Sequence, residues 1–363
     1  MLELTRFWVN LAMNYLTKKI NIGGVKIGGG EGVKIQSMCT TKTSNVEQTV
    51  SQICALEKAG CEIIRVSVLD EEDAFAIKII KSKINIPLVA DIHFSSRLAI
   101  LAIENGADKV RINPGNIGGE KEIRLVADCI RSHKIPVRVG ANTGSVEKEF
   151  LLKFGKNENS LVESALKSVA ALERYGVNDI VISVKASSVP LTVKAYRLLA
   201  TKTGYPLHLG VTEAGTEEMA VVKSSAALGA LLLDGIGDTI RVSITDDPVK
   251  EVIAARRLLR AVGLDENFVN VISCPTCGRC QWNSMELAQK VTALVENSKR
   301  KLKIAVMGCV VNGPGEAKDC DLGIAGAQDY CVIFKNGEII RKVSAPSAEE
   351  EFFKEITALL NEH

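Results

Sequence analysis

The sequence predicts an α/β protein, a (β/α)8 TIM barrel over residues 1–265 followed by a small α+β domain over residues 266–363. Three observations carry that expectation. Eight short β-branched runs alternate with amphipathic helical stretches over about 230 residues, close to the usual size of such a barrel. Strict alternation requires a parallel sheet, because parallel neighbours need crossover connections. From about residue 268 the texture changes, with clustered cysteines and a hairpin signal. An open doubly wound sheet is the alternative; no GxGxxG opens a helix, which disfavours it.

In chain order, GGVKIGGGEG (23–32) precedes the first run and reads as an N-terminal hairpin, not a phosphate loop. The runs are GVKIQSM (32–38), IIRVSV (63–68), PLVADIHF (87–94), KVRINPG (109–115), PVRVGAN (136–142), DIVISVKAS (179–187), PLHLGVTEAG (206–215) and TIRVSIT (239–245). Stretches such as VEQTVSQICALEKAG and PVKEVIAARRLLRAVG place apolar residues at three- and four-residue spacing, the mark of a helix with one buried face. Gly60, Gly106 and Gly176 stand where helices should end, since glycine accepts the left-handed conformation that turns the chain away. Beyond the barrel, FVNVISC is a strand ending at Cys274, MELAQKVTALVENSKRK a helix, and KLKIAVMGC a strand ending at Cys309. DLGIAG and CVIFKNGEIIRKV follow, with Asn336-Gly337 signalling a type I′ hairpin. SAEEEFFKEITALLNE closes the chain as a helix capped by Ser347.

Hydrophobic residues make up 46% and charged residues 24% of the 363, the balance of a soluble chain with a sizeable core. A net charge of +2 is too small to argue for nucleic acid, and no apolar run approaches a membrane span. The first twenty residues lack the unbroken apolar run of a signal peptide. They carry Glu3 and no serine, so they read poorly as a transit peptide, and Met13 is a candidate alternative start. Ten cysteines without a secretion signal argue for a reducing, cytoplasmic setting rather than a disulfide framework. Cys54 and Cys129 lie on helical patterns, where a buried free thiol is expected.

A barrel builds its site at the carboxyl ends of its strands. In order, those ends offer Arg65 and Ser67; Asp91 and His93; Arg111, Asn113 and Asn116; Arg138 and Asn142; Lys185; Glu213; and Arg241 with Ser243. A cation inside a barrel strand is costly unless it is paired or faces a ligand. Arg65, Arg111, Arg138, Lys185 and Arg241 cannot all be neutralised by Asp91 and Glu213, so the missing anion should be the substrate. The guanidinium fork matches phosphate oxygens and lysine adds a point charge, which predicts a ligand with two phosphoryl groups or a diphosphate. Glu213, in the TEAG turn, is either a counter-ion for the arginines or a proton donor. His208, early in its strand, is expected to be structural, and His133, late in a helix, to be solvated.

CPTCGRC sets Cys274, Cys277 and Cys280 at two-residue gaps, and Cys309 lies at the next strand end. A four-cysteine zinc site, a four-cysteine iron–sulfur cluster, and a cluster on Cys274, Cys277, Cys309 and Glu316 with Cys280 spare all fit this spacing. In the last, a carboxylate is harder and more easily displaced than a thiolate, so one iron stays exchangeable. The Gly-Pro-Gly before Glu316 would let that carboxylate approach and withdraw.

The runs VKIQSM, VADIHF, RINPGNIG, VSVKAS, HLGVTEAG, GIGDTIRVS, SCPTC and GCVVNGPGEA, in this order, resemble the 4-hydroxy-3-methylbut-2-enyl diphosphate synthase family of the methylerythritol phosphate route to isoprenoids. The resemblance covers the chain from about Lys19 through the GPGEA segment towards the C-terminus, in the two-domain bacterial form. It implies a [4Fe–4S] cluster domain with Cys274, Cys277, Cys309 and Glu316 as ligands and Cys280 as a bystander. It implies a substrate, 2-C-methyl-D-erythritol 2,4-cyclodiphosphate, held by Arg65, His93, Arg111, Arg138, Asn142, Lys185, Arg241 and Ser243. Asp91 and Glu213 would sit beside the reacting carbons, and Glu316 would yield its iron during catalysis. The resemblance further implies a ferredoxin or flavodoxin electron donor and a head-to-tail homodimer in which the small domain of one copy covers the barrel of the other. Two rival readings are a non-catalytic phosphosugar-binding barrel with a structural zinc, and a radical S-adenosylmethionine barrel, whose CxxxCxxC is absent near the N-terminus.

Overall fold

The computed structural model describes residues 16–296, 298–311 and 313–362. Glu3 and Met13, on which the reading of the chain's start rests, lie outside them. The chain divides into two compact units between Leu264 and Asp265.

The first unit opens with a hairpin of β1 (Ile20–Ile22) and β2 (Val25–Ile27). Its turn is Gly23-Gly24, at φ +53° and +100°, a conformation glycine adopts without a Cβ penalty. The hairpin therefore spans 20–27, starting three residues and ending five residues before the 23–32 expected from glycine density. Ile20, Ile22 and Ile27 pack on Ile63, Val89 and Val181, an apolar cluster at the amino-terminal end of the barrel.

Eight parallel strands follow: β3 (Lys34–Met38), β4 (Ile63–Ser67), β5 (Leu88–Asp91), β6 (Lys109–Arg111), β7 (Val137–Asn142), β8 (Ile180–Lys185), β9 (His208–Leu209) and β10 (Thr239–Ile240). Their order is β8-β7-β6-β5-β4-β3-β10-β9, and a parallel bridge from Ile182 to Leu207 joins the two ends. The sheet is thus a closed (β/α)8 barrel. The helices between strands are α1 (Val46–Ala59), α2 (Glu71–Lys81), α3 (Ser96–Glu104), α4 (Glu120–His133), α5 (Lys148–Phe154), α6 (Glu158–Glu173), α7 (Val189–Ala200), α8 (Glu217–Leu233) and α9 (Pro248–Ala261). The short α5 is an addition within the loop after β7. Gly60 ends α1 at φ +109°, its N–H bonded to the Glu57 and Leu56 carbonyls. Runs seven and eight shrink to two-residue strands, so Glu213, Arg241 and Ser243 lie on irregular segments beyond them.

The period of two decides the interior. Ile35, Ile64, Val66, Ala90, Val110, Val139, Ile182, Leu209 and Ile240 join the buried apolar cluster with helix residues such as Ile53, Leu56, Ile77 and Leu231. Their alternates, Gln36, Arg65, Asp91, Lys109, Arg138, Ser183, Lys185, His208 and Thr239, are buried on the opposite face, within the barrel. Barrels usually fill this space with branched apolar side chains. Here, beyond the apolar layer of Ile63, Val89 and Val181, it is polar, and four of these nine side chains are lysine or arginine.

The second unit is a five-stranded sheet of β11 (Val269–Ser273), β12 (Leu302–Met307), β13 (Leu322–Gly326), β14 (Tyr330–Lys335) and β15 (Glu338–Ser344), hydrogen-bonded in that order. The β11–β12–β13 pairs are parallel and the rest antiparallel. Asn336 and Gly337, at φ +50° and +81°, form the expected hairpin turn. One face packs Ile304, Val306, Ile324 and Ile333 against α10 (Ser284–Val295) and α12 (Ala348–Asn361), which in the chain flank the single-turn α11 (Gly313–Glu316), through Leu287, Val291, Phe352 and Ile356. The other face holds Ala305, Met307, Ala325 and Phe334 with Ala317, Cys320 and Cys274. Ser347 precedes α12 without capping it; its hydroxyl contacts the hydroxyl and carbonyl of Ser344 instead. Cys54 and Cys129 are half-buried rather than enclosed, because each sits at the margin of its helix's apolar stripe.

Candidate functional site

The barrel mouth is organised by two carboxylates. Asp91, 3% exposed at the end of β5, lies 3.2 Å from Arg111 Nη1 and 3.6 Å from Arg65 Nε. Burial alone would raise its pKa, but the charges of Arg65, Arg111 and Arg138 overcome that and hold the carboxyl below its ordinary value. Burial lowers the Arg65 guanidinium to about 10 despite Asp91 beside it. Arg65 also donates to the Met38 thioether at 3.1 and 2.7 Å. The second carboxylate is Glu251 of α9. Its two oxygens accept from Arg241 Nη2 at 3.1 Å and Nε at 3.2 Å, and from Ser37 Oγ and the Ile244 N–H at 3.1 Å each.

Two cations are left over. Arg138 is 2% exposed and its Nε has no partner among the described residues. Lys185, 8% exposed, has neither a hydrogen-bond acceptor nor a carboxylate within reach among them. Burial, then the neighbouring Arg138, Arg65, Arg241 and Arg111 charges, push its pKa well below the ordinary lysine value. A Cβ at Gly210 would stand 2.6 Å from Lys185 Nζ, so the missing side chain at 210 is the space the amine occupies. Arg65, Arg111, Arg138, Lys185 and Arg241 thus converge on one mouth, and among the described residues Asp91 and Glu251 are the carboxylates paired with them.

The remaining expected residues sit around this core. Asn142 is half-buried at the end of β7, its backbone tied to Ser145 by bonds of 2.9 and 3.2 Å. Ser243 is half-buried and His93 exposed, its ring 6.0 Å from that of Phe94. Glu213 is exposed at φ +53°, a strained conformation for a residue with a Cβ. Among the described residues no arginine pairs with it, and Glu251 is the counter-ion at Arg241. His208 is fully buried, with Nδ1 2.8 Å from Thr239 Oγ1, and His133 is exposed.

Sequence reasoning missed Glu251, Lys109 and Met38. Glu251 falls on the buried stripe of α9 with Pro248, Val252, Ala255 and Leu258, so a carboxylate on an otherwise apolar face was its signal. Lys109 precedes Arg111 by two and so shares its inward face; it is fully buried, its Nζ 3.4 Å from Gln36 Oε1. Met38 carried no signal, because thioether acceptors leave no pattern in a sequence.

In the second unit, parallel pairing brings the carboxyl ends of β11 and β12 to one edge, and with them Cys274 and Cys309. Cys274 Sγ accepts the Gly308 N–H at 3.0 Å, the kind of bond that steadies a thiolate. Cys277 is exposed, and bonds from the Arg279 backbone and side chain lower its pKa. Cys280 points its thiol at the Trp282 carbonyl, 3.2 Å away, and at Ser284 Oγ, 3.4 Å away. Gly313–Glu316 forms one helical turn rather than an open loop. A Cβ at Gly313 would stand 2.8 Å from both Ala325 and Met307, so that glycine lets the turn press onto the sheet, while Gly315 faces open space. Among the described residues no three His, Cys, Asp or Glu side chains gather around a single-ion position. The donor set itself, soft thiols at two adjacent strand ends with a carboxylate on the next turn, suits an iron–sulfur group.

The pattern of the GcpE TIM-barrel domain matches residues 17–256, and that of the GcpE protein C-terminal domain matches residues 270–358. The chain belongs to the GcpE family. A relative from Caldanaerobacter subterraneus, named 4-hydroxy-3-methylbut-2-en-1-yl diphosphate synthase (flavodoxin), is 55% identical over 97% of this chain and 99% of its own. GcpE relatives of the same name from Thermotoga petrophila and Ruminiclostridium cellulolyticum are 53% and 51% identical, over 96% and 94% of this chain and 99% and 98% of their own. Among solved structures, a dihydropteroate synthase from Stenotrophomonas maltophilia is 14% identical with a TM-score of 0.50, covering 68% of this chain and 98% of that one. That likeness concerns the barrel fold alone. No helix among the described residues is long and apolar enough to cross a membrane.

Proposed function

We propose that this GcpE chain carries out the reductive ring opening and dehydroxylation of 2-C-methyl-D-erythritol 2,4-cyclodiphosphate to 4-hydroxy-3-methylbut-2-enyl diphosphate. Two electrons and one proton enter, a ring carbon–oxygen bond opens, and an oxygen leaves as water. The observation that carries the reading is the barrel mouth, where five inward cations face two carboxylates and two of the cations lack partners. A cyclic diphosphate supplies the missing negative charge.

In this reading residues 1–265 bind substrate. Arg138 and Lys185 take the phosphoryl oxygens most directly, because neither side chain has a hydrogen bond or ion pair among the described residues. Arg65, Arg111 and Arg241 reach the same anion while Asp91 and Glu251 hold them in register, and His93, Asn142 and Ser243 complete the rim. Asp91 and Glu213 flank the carbons that change. Strain at Glu213 supports a working role, since a residue held at positive φ persists where the surrounding structure fixes it.

Residues 266–363 would carry a [4Fe–4S] cluster on Cys274, Cys277, Cys309 and Glu316. That group supplies single electrons and a Lewis-acidic iron whose carboxylate ligand exchanges more readily than thiolate. Cys280, turned towards Trp282 and Ser284, is a structural thiol. The names of the relatives support flavodoxin as electron donor, with ferredoxin the chemical equivalent. The family resemblance supports a cytoplasmic homodimer that needs neither nucleic acid nor membrane.

The test is turnover. Protein purified without oxygen and reduced through flavodoxin should convert the cyclodiphosphate to the allylic diphosphate, identified by mass spectrometry. A colourless zinc protein that binds the cyclodiphosphate without converting it would instead establish the phosphosugar-binding reading.

A further inference from the structure

Lys185 stands apart from the other cations of the mouth. Among the described residues the groups that act on it are four cations, a neutral imidazole and carboxylates already engaged. Arg65 and Arg111 face it from β4 and β6, Arg138 from β7 and Arg241 from the segment after β10, while His208 of β9, held neutral by burial and these charges, keeps an unpartnered Nε2. Asp91 is taken by Arg65 and Arg111, and Glu251 by Arg241. Glu213 is exposed in its turn, and the Tyr196 hydroxyl donates to the His208 carbonyl. An ammonium here, on a side chain 8% exposed and with no carboxylate or acceptor bonded to it among the described residues, is costly to keep charged. The amine can give up its proton, whereas the arginines cannot.

We propose that Lys185 is a neutral amine in the free protein and becomes an ammonium when a doubly phosphorylated substrate docks above it. The proton comes from bulk water, an N–H bond forms at Nζ, and no electron moves. Burial and the surrounding positive charge depress the lysine in the free barrel; a docked dianion cancels that charge and supplies acceptors. The cyclic diphosphate carries one strongly acidic group on each phosphorus, so it releases or takes no proton itself near neutrality. Binding is therefore linked to proton uptake. Between the depressed free-state pKa and the restored bound-state pKa, affinity rises as pH falls. Above the bound-state value the slope flattens. Lys109 is the competing acceptor, since it too is buried among cations with only Gln36 Oε1 near it. It lies nearer the amino end of its strand than Arg111 and is fully enclosed, so docking relieves it less.

The proposal rests on the substrate reading above, and one experiment separates the two. Oxidised holoprotein, unable to turn over, is titrated calorimetrically with the cyclodiphosphate in buffers of different ionisation enthalpy between pH 7 and 9. The wild type should take up about one proton per chain bound. Lys185→Met should lose that uptake, Lys109→Met should keep it, and Lys185→Arg, charged throughout, should bind without uptake. The arginine variant preserves the test should the methionine variant fail to fold. Absence of any binding by the wild type would overturn both readings. Binding without uptake, or uptake that survives at Lys185→Arg and vanishes at Lys109→Met, would overturn this one alone.

Discussion

The barrel mouth and the cysteine edge are both built from strand ends, yet they are held in place differently. At the mouth the protein fixes its own ligand groups. Asp91 spans two arginines, Glu251 binds a third through both oxygens, and strand register fixes the rest. At the edge, Cys274 is steadied by one backbone N–H, Cys277 is exposed beside Arg279, and among the described residues no three donor side chains gather around a single-ion position. The difference teaches that a cluster of buried cations can be organised by ion pairs with no ligand between them. A metal site of three thiols and one carboxylate, by contrast, gains its order in large part from the group it binds.

The largest effect that tests this contrast falls on the edge. Cys309→Ala should reduce bound iron and sulfide to background and end turnover, while calorimetry still finds the cyclodiphosphate bound at the barrel. Loss of substrate affinity along with the iron would make the two sites one. Cys280→Ala should keep both metal and activity; a colourless Cys280→Ala protein would restore the four-cysteine alternative.

At the mouth, Arg138→Ala should weaken substrate binding by about 2–5 kcal/mol, the range for one partner of a desolvated charge pair. An unchanged affinity would remove Arg138 from the clamp. Glu251→Gln should cost about 3 kcal/mol of stability in denaturant unfolding, because it leaves the inward Arg241 without its counter-ion. If stability were unchanged, the mouth would not be held by its carboxylates as described. The smallest effect is expected at Glu213→Gly, which should raise stability by about 1 kcal/mol through relief of the positive φ while lowering turnover. A variant that is neither more stable nor slower would leave the strain without a function.

The sequence announced the barrel because its strands and helices differ in period, and it announced the cations because a charge inside a β-branched run is conspicuous. It placed the first six strands to within a few residues. It overextended the last two, since GVTEAG and RVSIT carry β-branched residues in segments that do not pair as strands. The counter-ion logic went astray for a related reason. Glu251 reaches the mouth from a helix, so its signal, one carboxylate on an apolar stripe, lies away from the strand ends where a barrel builds its site. The glycines before Glu316 were legible as a requirement for close approach, but the surface approached is the sheet at Ala325 and Met307.

The account turns on one iron of four being bound by oxygen at Glu316. Mössbauer spectroscopy of iron-57-labelled protein, prepared without oxygen and without substrate, measures this directly. It should show about four irons per chain, three in sulfur-only environments and one distinct, with the distinct signal altered in Glu316→Ala. Four equivalent sulfur-ligated irons, untouched by that substitution, would contradict it.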